Sequence, residues 1–301
     1  MSLSNALPAP SSLFTWLLAV RPRTLSLSLA PVVVGAALAW AETGRTQLPA
    51  LTVALLCSIC IQIAVNLLND AMDFERGGDG PDRIGPARVA ASGLIASKTL
   101  IGAAFGFFGL AALGGLYLIW LGGWPILALG LLSLASGWAY AGGPRPISHT
   151  PFGELFVIAF FGLGAVGGTY WLCAGAFGPA PLIAGLALGL FASGVLMVNN
   201  VRDALADARV GRRTLAIVAG PWASRWIFAF LMLAPFALLG LLAQPATAGA
   251  FWLAFGALPF TLAIVRRFFI APPDAGLNQL LANTAQAQAM FSMLLCLGAL
   301  L

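Results

Sequence analysis

Nine runs of mostly apolar residues, each near twenty long, leave this chain few ways to fold. They lie at roughly 24–41, 49–69, 98–119, 122–141, 152–175, 179–200, 223–243, 248–266 and 283–301. A helix of that length matches a hydrocarbon core about 30 Å thick, so each run reads as a membrane span. Apolar residues make up 60% of the chain and charged residues 8%, where a soluble domain carries about a quarter. The mean hydropathy of +0.95 agrees. The fold class is therefore an all-α integral membrane protein, a nine-transmembrane-helix bundle.

The charges orient that bundle. Arg21 and Arg23 precede the first span, and Arg76, Arg83, Arg88 and Lys98 lie between the second and third. Arg145 follows the fourth. Arg202, Arg209, Arg212, Arg213 and Arg225 lie around the sixth-to-seventh connection, and Arg266 and Arg267 follow the eighth. Alternate connections share one side, so fourteen of the fifteen basic residues fall together and Arg45 alone falls opposite. The positive-inside rule makes that face cytoplasmic, with the N-terminus inside. It also accounts for a pI near 9.5 without any nucleic-acid partner. A short apolar piece, Leu13 to Val20, runs into Arg21-Pro22-Arg23 without a basic start, so no cleaved leader is expected. No soluble domain or linker interrupts the chain, and residues 1–301 read as one membrane domain.

Cys57, Cys60, Cys173 and Cys296 all fall inside apolar runs, where they read as small core residues. His149 is the only histidine and cannot build a metal site by itself; a polar loop residue is its default reading.

Against this background the acids are unevenly placed. Residues 69–88, NDAMDFERGGDGPDRIGPAR, hold five of the ten acids and three arginines. The second span ends Asn66-Leu-Leu-Asn69-Asp70-Ala-Met-Asp73, and the sixth ends Asn199-Asn200-Val-Arg202-Asp203-Ala-Leu-Ala-Asp207. Asp70 and Asp73 are three apart, Asp203 and Asp207 four apart, so each pair shares a helical face, with Asn66 and Asn199 one turn earlier. A solvated helix end explains one such cluster; two of the same form point to function. Oxygen donors without His or Cys suit a hard cation such as Mg²⁺, usually held by carboxylates together with substrate phosphates. Arg83, Arg88, Arg212 and Arg213 have the geometry to fork onto phosphate oxygens. A lipid-borne diphosphate with its tail among the helices fits this mixture. The EF-hand spacing and its closing Glu are missing.

These motifs resemble those of the UbiA superfamily of intramembrane prenyltransferases, and within it the 1,4-dihydroxy-2-naphthoate polyprenyltransferases. Asn69-Asp70-x-x-Asp73-x5-Asp79, followed by Asp82-Arg83-x-Gly85-Pro86-x-Arg88, is similar to the first Asp-rich motif. Asn199-Asn200-x-Arg202-Asp203-x3-Asp207-x3-Gly211-Arg212 is similar to the second. Arg21-Pro22-Arg23-Thr24-Leu25 and Tyr140-x-Gly142-Gly143-Pro144 add to the likeness, which runs from about residue 16 to 220. The general motif has its third acid where Gly77 stands; here the acid comes at Asp79, as in the naphthoate branch.

The resemblance implies Mg²⁺ bound between Asp70, Asp73, Asp203 and Asp207, and a polyprenyl diphosphate held with help from Asn66, Asn69, Asp79, Arg83, Arg88, Asn199, Asn200 and Arg212. It further implies prenyl transfer to dihydroxynaphthoate with loss of CO₂, in a bacterial plasma (inner) membrane with the site facing the cytoplasm. Tyr140 reads as a cavity wall or an interfacial tyrosine. Arg21 or Arg23 reads as the contact for the acceptor's carboxylate. Glu154 reads either as an acceptor of a ring hydroxyl or as a helix cap. Another aromatic acceptor, such as a hydroxybenzoate, is the nearest rival. An ion-coupled transporter is the rival of a different class, but such proteins place their acids near the bilayer midplane, and no span here does. A CDP-alcohol phosphotransferase needs a D-G-x-x-A-R signature that this sequence lacks.

Overall fold

The computed structural model describes residues 12–80, 84–86, 88–242 and 250–301. Among these, every regular element is a helix, and nine helices are long and apolar enough to cross a membrane. A short helix α1 (Ser12–Val20) turns at Arg21 into α2 (Pro22–Thr43), the first span. Arg21 sits in the left-handed region at φ 55°, the only non-glycine residue described there. The next spans are α3 (Leu48–Glu75), α4 (Ser97–Gly122) and α5 (Trp124–Ala141). The fifth span is composite: α6 (Gly153–Val157), a π-helical segment Ile158–Gly164, and α7 (Ala165–Ala174). Then come α8 (Pro179–Arg209) and α9 (Leu215–Leu242), which is broken at Gly220 with φ 78° just ahead of Pro221. The eighth span joins a 3₁₀ segment, Phe251–Ala257, to α10 (Leu258–Ile270), and α11 (Gly276–Leu300) is the ninth.

The number of spans matches the hydropathy reading, and three of the boundaries that differ do so for one reason. Apolarity marks the membrane crossing, whereas backbone hydrogen bonding continues into polar sequence. Helix α3 runs to Glu75 rather than 69, α8 to Arg209 rather than 200, and α11 starts at Gly276 rather than 283. Two stretches that read as polar connections, 70–75 and 201–209, are thus rigid helix. They carry the four expected metal-binding acids on fixed backbones. At α11, the Asp274 carboxylate accepts the Gly276 N–H at 2.7 Å, which satisfies one open donor of the added turn.

Helix α8 is the central beam. In its apolar window 78% of residues are buried, against 17–44% for the other eight spans. It packs on α9, α11 and the π segment, while α3 packs on α4, and α2 on α7 and α11. Phe191 of α8, Phe236 of α9 and Phe291 of α11 form an aromatic cluster with ring centroids 5.0–6.0 Å apart. Contact between α8 and the π segment is made by glycine. A Cβ on Gly189 would lie 2.8 Å from Ile158 Cα, and one on Gly185 3.0 Å from Leu163 Cα. Two backbones this close exclude any side chain between them, which is how small residues hold membrane helices together.

That contact is testable. Gly189→Val should lower the thermal midpoint of the detergent-purified protein, because overpacking of this kind costs about 1–3 kcal/mol. Gly167→Ala, on the same composite span but with nothing within 4 Å of an added Cβ, should hold or raise it. Equal midpoints for the two variants would contradict the close contact.

Candidate active site

The carboxy-terminal ends of α3 and α8 bring the two acidic motifs together at one end of the bundle. Asp73 and Asp207 meet over a single guanidinium: Arg212 Nη2 lies 2.6 Å from Asp73 Oδ1, and Nη1 lies 3.1 Å from Asp207 Oδ1. Arg88 takes the other Asp73 oxygen, at 2.5 Å, and its Nε reaches Asp79 Oδ1 at 3.1 Å. All these side chains are largely buried. Charges withdrawn from water need a partner in contact, and carboxylates so close together would otherwise repel.

The turn that makes this possible depends on two glycines. Gly77, at φ 71°, closes α3, and the Gly78 N–H donates to the Asp73 carbonyl at 2.8 Å. The chain therefore doubles back and delivers Asp79 to Arg88. A Cβ on Gly78 would stand 2.8 Å from Arg212 Nη2, so a larger residue there would push the shared guanidinium aside. The late position of the third acid thus has a geometric basis: the general motif's acid falls where the backbone needs a glycine.

The four expected metal ligands do not form one ring. Asp70 accepts the backbone N–H groups of Val89 and Ala90, at 3.3 and 3.1 Å, and so anchors the returning loop. Asp203 is held by its neighbour Arg202 through two bonds of 2.8 and 2.6 Å. Among the described residues no three His, Cys, Asp or Glu side chains group as metal ligands. Guanidinium groups take the central positions, because clustered carboxylates in a low-dielectric site stabilise any cation within reach.

Other expected residues separate into two groups. Asn66 is directed away from the acids: its amide donates to the Val20 carbonyl at 2.9 Å and to Thr24 Oγ1 at 3.1 Å, which locks the corner at Arg21. Asn199 accepts from Arg202 at 2.8 Å and buttresses the Asp203 pair. Asn69 is half-buried and makes no side-chain hydrogen bond among the described residues, so it stays open to a ligand. Asn200 donates to Glu154 Oε1 at 2.9 Å. Phe152, not Glu154, occupies the N-cap position of α6, and Glu154 lies in its first turn. Tyr140 is half-buried, and a Cβ on Gly153 would lie 3.9 Å from its hydroxyl, which puts it beside Glu154. Arg83 and the Arg23 side chain lie outside the described residues.

The structure adds residues that spacing did not reveal. His149 Nε2 lies 3.7 Å from Asp73 Oδ1, and its carbonyl accepts the Arg213 N–H at 2.9 Å. It belongs to the acid cluster rather than to a plain polar loop. Arg76 donates to the Ala141 and Gly143 carbonyls at 2.9 and 2.6 Å, binding the end of α3 to the Tyr140–Pro144 segment. Asn278 of α11 accepts from Arg202 at 2.8 Å and donates to the Ile84 carbonyl at 3.2 Å. A closely spaced set of amides, Asn278, Gln279 and Asn283, just ahead of the last apolar run was the available signal.

The site still has binding capacity. Arg88 Nη1 and Arg212 Nε are buried donors without a hydrogen-bond partner, as is the Thr214 hydroxyl. Unspent N–H groups beside carboxylates form a cradle for an anion that carries cations with it, the chemistry of a metal-bound diphosphate.

A nine-span helical bundle with two Asp motifs closing on arginines at one end agrees with the resemblance to intramembrane prenyltransferases. The sequence profile of the UbiA prenyltransferase family matches residues 28–294, and the chain belongs to that family. It is 35% identical over 248 residues to the 1,4-dihydroxy-2-naphthoate octaprenyltransferase of Mycobacterium tuberculosis, covering 78% of this chain and 84% of that one. It is 32% identical to the protein of the same name from Escherichia coli, covering 94% of each. The structure of a UbiA homolog from Archaeoglobus fulgidus bound to GPP and Mg²⁺ superposes with a TM-score of 0.64, at 17% identity, over 93% of this chain and 99% of that one. The apo structure of a UbiA homolog from Aeropyrum pernix does so at 0.64 and 16% identity, over 90% and 96%.

The double contact of Arg88 gives a prediction. Arg88→Ala leaves Asp73 and Asp79 buried without a shared counter-charge, and breaking a buried pair in this way costs about 3–5 kcal/mol. The thermal midpoint should fall clearly, and Arg88→Ala combined with Asp79→Asn should recover part of the loss. No recovery in the double variant would show that Arg88 does not act through Asp79.

Proposed function

We propose that this membrane prenyltransferase transfers a polyprenyl group from its diphosphate to 1,4-dihydroxy-2-naphthoate, with loss of the acceptor's carboxyl group as CO₂. The observation that carries the reading is the meeting of Asp73 and Asp207, from motifs on different helices, at one cation. The names of the relatives at 30–35% identity support the acceptor. One membrane domain, spanning residues 1–301, does the work. Its active end faces the cytoplasm, a placement supported by the fourteen basic residues on that side.

The donor set is all oxygen, and a guanidinium already lies between Asp73 and Asp207, so the site stabilises positive charge where a hard divalent ion would bind. Asp70, Asp73, Asp203 and Asp207 would hold Mg²⁺. When bound, it neutralises the negative charge that grows on the departing diphosphate. Arg88 and Arg212 turn their spare N–H groups onto phosphate oxygens, and Asn69 adds its open amide. As the bond from allylic carbon to oxygen breaks, its electron pair leaves with diphosphate. The electron-rich ring supplies the pair that replaces it. Tyr140 and the apolar ends of the spans keep water from the cationic carbon. Arg21, at the corner fixed by Asn66, provides charge for the acceptor's carboxylate.

Three outcomes follow. Asp73→Asn should cut turnover by about 10²–10³-fold or more while the protein keeps its fold in detergent, because charge stabilisation is lost only in the transition state. EDTA should silence the enzyme, and added Mg²⁺ should restore it. Membranes given labelled polyprenyl diphosphate and a panel of aromatic acceptors should yield product with dihydroxynaphthoate. Product from a hydroxybenzoate alone would overturn the acceptor.

A further inference from the structure

Glu154 stands out among the buried polar groups. It is 3% exposed at the start of the fifth span. One oxygen, Oε1, accepts from Asn200 at 2.9 Å, and the other, Oε2, is buried with no hydrogen-bond partner. No arginine or lysine pairs with it among the described residues, in contrast to Asp73, Asp79, Asp203 and Asp207. A carboxylate kept from water without a cation is costly, and leaving one oxygen bare adds to that cost.

The fold holds it there deliberately. Ser193 Oγ of α8 donates to the Glu154 carbonyl at 2.9 Å, so α6 is pinned to the same helix that supplies Asn200. Asn200 is three residues before Asp203, one turn from the acid motif. The π-helical turns begin at Ile158, directly after α6, and are fixed against Gly185 and Gly189 of α8. Single π turns inside helices mark places where a side chain has been re-aimed, frequently at functional sites. The Tyr140 hydroxyl is close to the residue before Glu154, 3.9 Å from a Cβ built on Gly153. A carboxylate with one bare oxygen is thus held by an amide one turn from the acid motif, with no arginine or lysine paired to it among the described residues.

We propose that Glu154 is the catalytic proton acceptor for the aromatic substrate, its Oε2 taking the proton of a ring hydroxyl. This rests on the naphthoate reading above. The step closes on itself. As the hydroxyl proton passes to Oε2, the oxygen's electron pair enters the ring, and the ring carbon bearing the carboxylate forms its bond to the allylic carbon while diphosphate departs. The ring is then a ketone. When the bond to the carboxylate breaks, CO₂ leaves and that bond's electron pair refills the ring, so the ketone oxygen becomes a phenolate and takes the proton back from Glu154. No oxidant, reductant or net proton is required. Asn200, through Oε1, is a positioning residue.

The test compares the wild type with Glu154→Gln, which keeps an oxygen for Asn200 and loses the basic site. The readouts are prenylated product, acceptor-free release of pyrophosphate from the prenyl diphosphate, binding of a prenyl thiolodiphosphate, and thermal midpoint. E154Q should lose about 10²-fold or more in kcat with dihydroxynaphthoate, while analogue binding and acceptor-free pyrophosphate release stay within about twofold of wild type. Glu154→Asp, with a carboxylate on a shorter stem, should keep more turnover than E154Q. Wild-type kcat in E154Q, or equal loss in both variants, would overturn the proton role. So would a loss of analogue binding like that of Asp73→Asn. Should E154Q fail to fold, the two monomethyl ethers of the acceptor test the same step on the wild type. At least one should bind without turning over, and prenylation of both at the normal rate would overturn the proposal. A wild-type enzyme that never prenylates dihydroxynaphthoate would sink the acceptor reading instead, whatever Glu154 does.

Discussion

One guanidinium shared by two carboxylates organises the active end of this protein. Arg212 touches Asp73 of α3 and Asp207 of α8, residues brought together from 139 and 5 positions away in the chain. The contact joins the two halves of the bundle, and much of the local structure serves it. Gly78 leaves room for the guanidinium, Gly211 at φ 76° turns α8 back to place it, and Arg88 and His149 take up the remaining field of Asp73. Because the group is buried, these charges interact with little screening, and displacing one has consequences for all. A metal-bound diphosphate would enter an electrostatic well that is already built.

The rest of the bundle supplies rigidity on either side of that contact. Helix α8 is buried along most of its length and holds Asn199, Asn200, Arg202, Asp203 and Asp207 on one backbone. The glycine contact at Gly185 and Gly189 brings the fifth span against it, with the π turns following directly on the helix that carries Glu154. From the other side, Arg76 binds the end of α3 to the Tyr140 segment, and Asn278 ties α11 to Arg202. On the proposed function, the diphosphate is taken by Arg88 and Arg212 and the acceptor by Glu154, which has no arginine or lysine paired to it among the described residues.

The sequence made the nine spans legible because twenty apolar residues have one stable solution in lipid. The acid pairs were equally visible, since helical spacing puts Asp70 with Asp73 and Asp203 with Asp207. Periodicity could not reveal partners. Asn66 and Asn199 look alike in sequence, yet one locks a corner near Arg21 and the other supports Arg202. Hydropathy ended α3 and α8 too early and began α11 too late, because polar turns continue a helix without continuing its apolarity. His149 was read as a loop residue because nothing local connects it to Asp73, 76 residues earlier. Glu154 could not be connected to Asn200 by spacing, because the two lie 46 residues apart.

The central claim is that Asp73 and Asp207 jointly form a cation–diphosphate site. Electron paramagnetic resonance of Mn²⁺, a substitute for Mg²⁺, with a prenyl thiolodiphosphate and the purified protein measures it directly. The account predicts bound Mn²⁺ coupled to phosphorus nuclei only when the analogue is present, with that signal lost in both Asp73→Asn and Asp207→Asn. Full Mn²⁺ binding and phosphorus coupling in either variant would contradict it.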